Sequence, residues 1–174
     1  AELSRFPIDR HKNNLLPNID DSEQRGVIEA EIKIQDLKVP LLLLATPLDF
    51  RADERERLAS AKAINELAAK HPDQPALLAG DLNATPDSKT LQQFETMWTR
   101  ANEKPMATVP VNQPARQIDF ILYRPKDRWK VVEVKVLDEA VASDHRAIFA
   151  VLELLPNKEY VAPHEALHPS GHSV

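Results

Sequence analysis

Three short segments carry the residue types that phosphoester chemistry needs: Gly80-Asp81-Leu82-Asn83, Gln117-Ile118-Asp119-Phe120 and Ser143-Asp144-His145. Each is read as the end of an apolar run, where a strand would deliver its polar side chains to the edge of a sheet. Hydrolysis of a phosphoester requires a base or metal hydroxide to activate water, a positive centre against the phosphoryl oxygens, and a group that steadies the leaving oxygen. Three carboxylates, an amide and an imidazole gathered on one rim would supply most of that. Taken singly, each has a plainer explanation. An Asp after a strand is commonly a turn former or helix cap, and a His beside an apolar strand is more often structural than catalytic.

The rest of the composition bounds what those segments can serve. A chain of 174 residues with 43% hydrophobic and 28% charged residues fits one globular domain with a real core. Its formal net charge of -5, from 27 acidic and 22 basic residues, provides no global field to attract nucleic acid or an anionic membrane. Phosphate binding must then be local, and clustered carboxylates can recruit a hard divalent cation that reverses the local sign. The absence of cysteine excludes disulfides, cysteine nucleophiles and thiolate zinc sites. No apolar run approaches the ~18 residues that cross a bilayer, so no membrane span is expected. Nothing in the chain fixes its compartment.

The elements that must hold the three segments follow from periodicity. Glu2 to Ile8 reads as a short strand and the polar stretch from Asp9 to Arg25 as a loop. From Val27 to Ile34 apolar and charged residues alternate, the pattern of a half-buried strand, and Leu41 to Leu44 is a continuous apolar run suited to a central one. The two together predict a hairpin. Asp53 and Glu56 have the spacing of a capping box ahead of a helix that ends near His71-Pro72. Strands are expected at Ala76–Ala79, Gln117–Tyr123, Trp129–Leu137 and Arg146–Leu154, with a short helix from Ser88 to Phe94. The fold class is therefore α/β, a layered sandwich of mixed β-sheets flanked by helices. Residues 1–155 form the domain; 156–174, rich in proline and polar residues, form a polar tail. His164, His168 and His172 recur there every four residues, but Pro163, Pro169 and Gly171 oppose the helix that would align them, and a solvated tail is the expectation. Trp98 and Trp129 are expected to serve packing rather than base stacking.

The three segments, taken with Leu3-Ser4-Arg5-Phe6-Pro7-Ile8 and Glu23-Gln24-Arg25-Gly26, resemble the endonuclease/exonuclease/phosphatase family of metal-dependent phosphoester hydrolases. The match continues through Ala84-Thr85-Pro86-Asp87-Ser88 and Arg146-Ala147, so it covers nearly everything but the tail. The resemblance implies a four-layered sandwich and a set of roles. Asp81 would activate or position the attacking water, and Asn83 would orient it and contact the phosphate. His145 would bind or protonate a phosphoryl oxygen, held in its useful tautomer by Asp119. Asp144 would be a metal-site carboxylate, the cofactor Mg2+ or Mn2+, and Arg25 a phosphate contact, although a salt bridge at a strand start explains Arg25 equally well.

Two departures from the family pattern bear on activity. The family places strands bearing an Asn and a metal-binding Glu ahead of the Leu-Ser-Arg-Phe-Pro segment. These 174 residues hold no counterpart, which implies an incomplete, N-terminally truncated copy of the fold. Ala45-Thr46-Pro47-Leu48-Asp49-Phe50 stands where the family reads Asn-Thr-His-Leu-Asp-His, so Pro47 replaces a catalytic histidine. Loss of one positioned hydrogen-bonding group typically costs about two to three orders of magnitude in rate. The expectation is a hydrolase of phosphoesters, a phosphodiesterase, nuclease or phosphatase, that is weak or inactive as this chain alone. The alternative is a degenerate member that acts as a binding or assembly module. Strands lacking neighbours invite pairing, so either a homodimer or a separate N-terminal fragment is expected to complete the fold. Substrate choice is expected to depend on the loop from Glu95 to Ala115.

Overall fold

The structure, a computed structural model, describes residues 2–35 and 37–156. The three tail histidines lie outside the described residues. Among the described residues eight strands and two α-helices follow in the order β1 (Ile8–Leu15), β2 (Gly26–Ile32), β3 (Leu41–Ala45), α1 (Arg55–Ala69), β4 (Ala76–Asp81), α2 (Lys89–Glu95), β5 (Thr99–Arg100), β6 (Asp119–Arg124), β7 (Trp129–Val136) and β8 (Ile148–Leu154), with one turn of 3-10 helix, Lys126–Arg128, between β6 and β7. Six of the strands make one mixed sheet, ordered β1-β2-β3-β4-β6-β5; β7 and β8 make a second, two-stranded one. Among the described residues only β3 and β4 run parallel, joined over the sheet by α1, as a parallel pair requires a crossover.

Side-chain alternation assigns the two faces of the large sheet. Leu42, Leu44, Leu78, Phe120 and Leu122 point to the helix side and pack against Ile64, Ala68, Leu91, Phe94 and Trp98. Ala30, Ile32, Leu41, Leu43, Leu77, Ile121 and Tyr123 point the other way, against Trp129, Val131, Ala150, Leu152 and Leu154 of the small sheet. The result is three layers: helices, large sheet, small sheet. Each fully buried leucine contributes about 1.5–3 kcal/mol relative to exposure, and the run Leu41 to Leu44 is apolar throughout because both of its faces are covered. Both tryptophans are packing residues. Trp98 donates Nε1–H to Asn65 Oδ1 at 3.0 Å, and Trp129 donates to the Arg124 carbonyl at 2.9 Å.

The structure corrects three expectations. The first strand is Ile8–Leu15, not Glu2–Ile8, and much of the anticipated loop is strand. Its register explains why: Arg10 lies opposite Glu31 and Lys12 opposite Glu29, so a polar edge strand is held by cross-strand charge pairing that apolar periodicity cannot reveal. For the same reason β2 is not half-buried with its glutamates in water. Glu31 is 8% exposed and takes a two-nitrogen fork from Arg10, with Nη2 2.8 Å from Oε1 and Nε 3.0 Å from Oε2. The capping box also fails to form. Glu54 is the N-cap and makes no side-chain cap bond, while Glu56 turns inward to accept from Ile19 N (2.7 Å), Ser22 Oγ (2.8 Å) and Arg51 Nη2 (2.7 Å). Long-range ligation of a buried carboxylate outcompetes a local cap. Sequence periodicity also passed over β5, two residues long and recognisable only by its pairing with Tyr123 and Leu122.

One glycine fixes the approach of β3 to β4. Gly80 has φ +155, and a Cβ built there would lie 1.8 Å from the Thr46 carbonyl oxygen. Backbone meets backbone at that point, so no side-chain rotation can relieve the clash. Gly80→Ala is expected to lower unfolding free energy by ~3 kcal/mol or more, read as a fall in urea midpoint; an unchanged midpoint would show that the strands can separate there at little cost.

Candidate active site

The antiparallel register of β4 and β6 sets Asp81 directly opposite Asp119, at the end of the pair that opens to solvent. Two carboxylates in facing positions repel, and such pairs normally destabilise a sheet. The segment after Ala142 brings His145 to them: its Nδ1 lies 3.0 Å from Asp119 Oδ2 and 3.2 Å from Oδ1. Ligand atoms of Asp81, Asp119 and His145 all fall within 4.8 Å of one another. All three side chains are partly buried.

Each is held by its own framework. Asp81 Oδ1 accepts the Asn83 backbone N–H at 2.9 Å, a tight local turn in which Asn83 takes φ +47, a conformation asparagine tolerates better than most residues. The Asn83 Nδ2 donates to the Leu48 carbonyl at 3.0 Å and to Asp81 Oδ2 at 3.1 Å. That amide nitrogen is thus committed to scaffold, which leaves Asn83 its carbonyl oxygen for a water or ligand. The Ser143–Arg146 segment is pinned from behind. Val111 N donates to the Asp144 carbonyl (2.9 Å), Arg146 N to the Thr108 carbonyl (2.8 Å), and Arg146 Nε to the Val111 carbonyl (2.7 Å). The loop carrying Thr108 and Val111 is itself fastened by a buried amide pair, Asn102 Nδ2 to Gln117 Oε1 at 2.9 Å. Sequence reasoning missed Asn102, Thr108 and Arg146 as positioning residues; only Gln117, the first residue of a chemical segment, left a signal.

Two other expected residues sit differently. Arg25 borders the same opening: with Asn13, Ile28, Ala45, Pro47, Ala79 and Asp81 it lines a groove of about 700 Å³. It is ion-paired to Glu23 at 2.9 Å and stacked 6.0 Å from the Phe50 ring centroid. Asp144 is exposed and stands outside the Asp81–Asp119–His145 group; its carboxylate accepts from Ser143 Oγ at 3.3 Å. Pro47 is exposed in the groove near Asp81. A second depression of about 270 Å³, lined by Asp119, Ser143 and His145, shares Ala79, Gly80 and Asp81 with the first.

Burial pushes the Asp81 carboxyl above its ordinary value, and the neighbouring Asp119 charge adds to that; the Asn83 N–H, His145 and Arg25 oppose it. An anionic pair under that strain fits a divalent cation, which would relieve the repulsion and the desolvation together. Oxygen donors with one imidazole are a donor set that a divalent cation can use.

The family model described as the endonuclease/exonuclease/phosphatase family matches residues 3–145. The chain belongs to this family. Its fold is similar to that of a mannosyl-6-phosphatase from Bacteroides thetaiotaomicron, with TM-score 0.75 at 19% identity over 86% of this chain and 67% of that one. It is likewise similar to the human Nocturnin catalytic domain, solved with a bound sulfate anion (TM-score 0.69, 18% identity, 86% and 60% coverage). TDP2 of D. rerio, solved with a single-strand DNA product, is a third (TM-score 0.64, 15% identity, 86% and 69%). The chain spans about two thirds of the length of such structures. No curated protein matches it. No described helix is long and apolar enough to cross a membrane.

The raised Asp81 carboxyl makes a stability prediction. Because the folded state holds this proton more tightly than the unfolded chain, the group favours folding fully below its ordinary value of 3.8, and that contribution disappears as pH rises through the folded value. At neutral pH the ionised group opposes folding. In EDTA, Asp81→Asn should raise the thermal midpoint at pH 7, with the gain shrinking toward zero as pH falls below 4 (roughly the ordinary Asp value); a gain independent of pH would exclude the ionised carboxyl as its cause.

Proposed function

We propose that this chain forms the water-activating and phosphate-binding part of a divalent-metal-dependent phosphoester hydrolase. The reading is supported by the convergence of Asp81, Asp119 and His145 within 4.8 Å, in a chain of this family. Asp81, with the Asn83 carbonyl oxygen beside it, would position an attacking water and accept its proton. Asp119 would orient the His145 ring through Nδ1, which leaves Nε2 as the chemically free nitrogen. A protonated ring would donate Nε2–H to a phosphoryl oxygen; a neutral ring would offer the same nitrogen as a ligand. Arg25, partly buried in the groove, would place positive charge on the phosphate from the other side. Asp81, Asp119 and His145 would hold Mg2+ or Mn2+, with Asp144 as an outer carboxylate of the site. When bound, the cation supplies Lewis acidity toward phosphoryl oxygens and lowers the pKa of water. Nucleic-acid, sugar-phosphate and other phosphoester substrates all remain within this chemistry, since folds of this kind set substrate choice through loops.

A second reading rests on Pro47. It occupies the groove near Asp81 with a side chain that neither donates nor accepts, so the chain would bind a cation and phosphate with little or no turnover and act as a binding module.

Two measurements separate these readings. If the site holds a cation, adding Mn2+ at about one hundred times its Kd should stabilise the chain by ~2.7 kcal/mol, seen as a rise in thermal midpoint that Asp81→Ala abolishes. Absence of any shift for both Mg2+ and Mn2+ would remove the metal from the proposal. If the site also turns over, hydrolysis of a generic aryl phosphodiester or phosphomonoester should be abolished by EDTA and lowered about 10²–10³-fold by His145→Ala or Asp81→Ala. Metal binding without turnover selects the binding module, and turnover that survives both substitutions rejects the residue assignment.

A further inference from the structure

Phe50 is the most exposed aromatic side chain among the described residues, at 68%. Exposure of a single apolar side chain is ordinary by itself. The way this one is held is not. The two residues before it, Leu48 and Asp49, are buried, at 0% and 3%. Leu48 N donates to the Asp81 carbonyl at 2.9 Å, and the Leu48 carbonyl accepts from Asn83 Nδ2 at 3.0 Å. The arc that carries Phe50 is thereby tied, through backbone, to the turn that carries Asp81. One buried guanidinium closes the arc from beneath: Arg57 Nη1 donates to the Asp49 carbonyl at 3.0 Å and also to the Arg51 carbonyl, the residues on either side of Phe50. Arg51 Nε in turn donates to both carboxylate oxygens of Asp49, each at 3.0 Å. Phe50 is the apex of a clamped loop, and the clamp consists of residues inside the described fold.

The ring stands over Arg25. The Arg25 guanidinium carbon lies 6.0 Å from the ring centroid, within reach of a cation–π contact. Arg25 is itself partly buried, paired through Nη2 to Glu23 at 2.9 Å, and lines the groove that Asp81 borders. One face of the Phe50 ring is therefore turned to a cation at the site, and the exposure of the side chain leaves its other face to a ligand.

We propose that Phe50, propped on Arg25, is a stacking platform that selects phosphoesters whose organic group is a planar heteroaromatic ring joined to the phosphorus through one sugar. The inference rests on the phosphate contact proposed above for Arg25. A phosphate held there sets its ester substituent beside the guanidinium, and a ring one sugar further on reaches Phe50. Stacking on an aromatic side chain accepts any base, because every base has a π-face. The platform thus selects for the presence of a ring and not for its identity. A side chain already fixed in place gives up little conformational freedom when a ligand settles on it, which is what the Arg57 clamp contributes. A sugar phosphate without a base meets Arg25 and passes the platform by.

Binding of adenosine 5′-monophosphate, ribose 5-phosphate and hexyl phosphate, followed by calorimetry in Mn2+, tests this. The unaltered chain is expected to bind the nucleotide about tenfold tighter than ribose 5-phosphate, the scale of one base–aromatic stack. Phe50→Ala should bring the two ligands to the same Kd, and Phe50→Trp should keep or enlarge the difference. Emission of the new indole should be quenched by the nucleotide and not by ribose 5-phosphate. Equal affinities in the unaltered chain, with both ligands bound, overturn the platform and leave the proposed function standing. Failure of all three ligands to bind overturns both. An advantage that survives Phe50→Ala, or a Phe50→Ala chain that loses both ligands in equal proportion, overturns the assignment of selectivity to Phe50. Hexyl phosphate binding as tightly as the nucleotide overturns ring recognition, and marks the surface as a plain apolar contact.

Discussion

The arrangement turns on one unfavourable interaction: two carboxylates, Asp81 and Asp119, held face to face by a strand register that the surrounding core dictates. Neither can move away, because Gly80 locks its strand against Thr46 on one side and Phe120 and Leu122 are fully buried on the other. The repulsion is eased, not removed, by His145, and burial leaves Asp81 reluctant to ionise. A divalent cation between the two carboxylates would relieve both the repulsion and the desolvation. Local destabilisation of this kind is common where chemistry is placed on an otherwise consistent fold.

Support for the pair radiates outward in polar shells rather than through the core. Asn83 clamps Asp81 to the carbonyl of Leu48, and the amides of Asn102 and Gln117 fasten the loop that holds the His145 segment. These are neutral groups with paired donors and acceptors. They can fix geometry without adding charge, so the electrostatics at the rim stay governed by the two carboxylates, the imidazole and Arg25. The more strongly charged clasp, Glu56 with Arg51 and Asp49, lies at the start of α1 and serves the fold.

The sequence was most legible where burial is two-sided or motif spacing is tight. Leu41–Leu44 announces a central strand because every side chain must be apolar there, and the segments around Asp81, Asp119 and His145 announce a rim because polar groups end apolar runs. What stayed hidden depends on partners distant in the chain. The strand Ile8–Leu15 looks like loop until Arg10 meets Glu31, and Glu56 looks like a cap until Ser22 and Ile19 reach it. The same holds for Asp144, whose adjacency to His145 says nothing of which side chain faces inward.

Asp81 and Asp119 are separated in the chain by α2, β5 and a long loop, and Asp119 and His145 by the rest of β6 and by β7. No local fragment contains two of them, so the site has high contact order and assembles only when the large sheet has closed. Ligation there is then a late event in folding, and binding of any ion or ester to this trio reports on completed folding of the chain rather than on the formation of any single element.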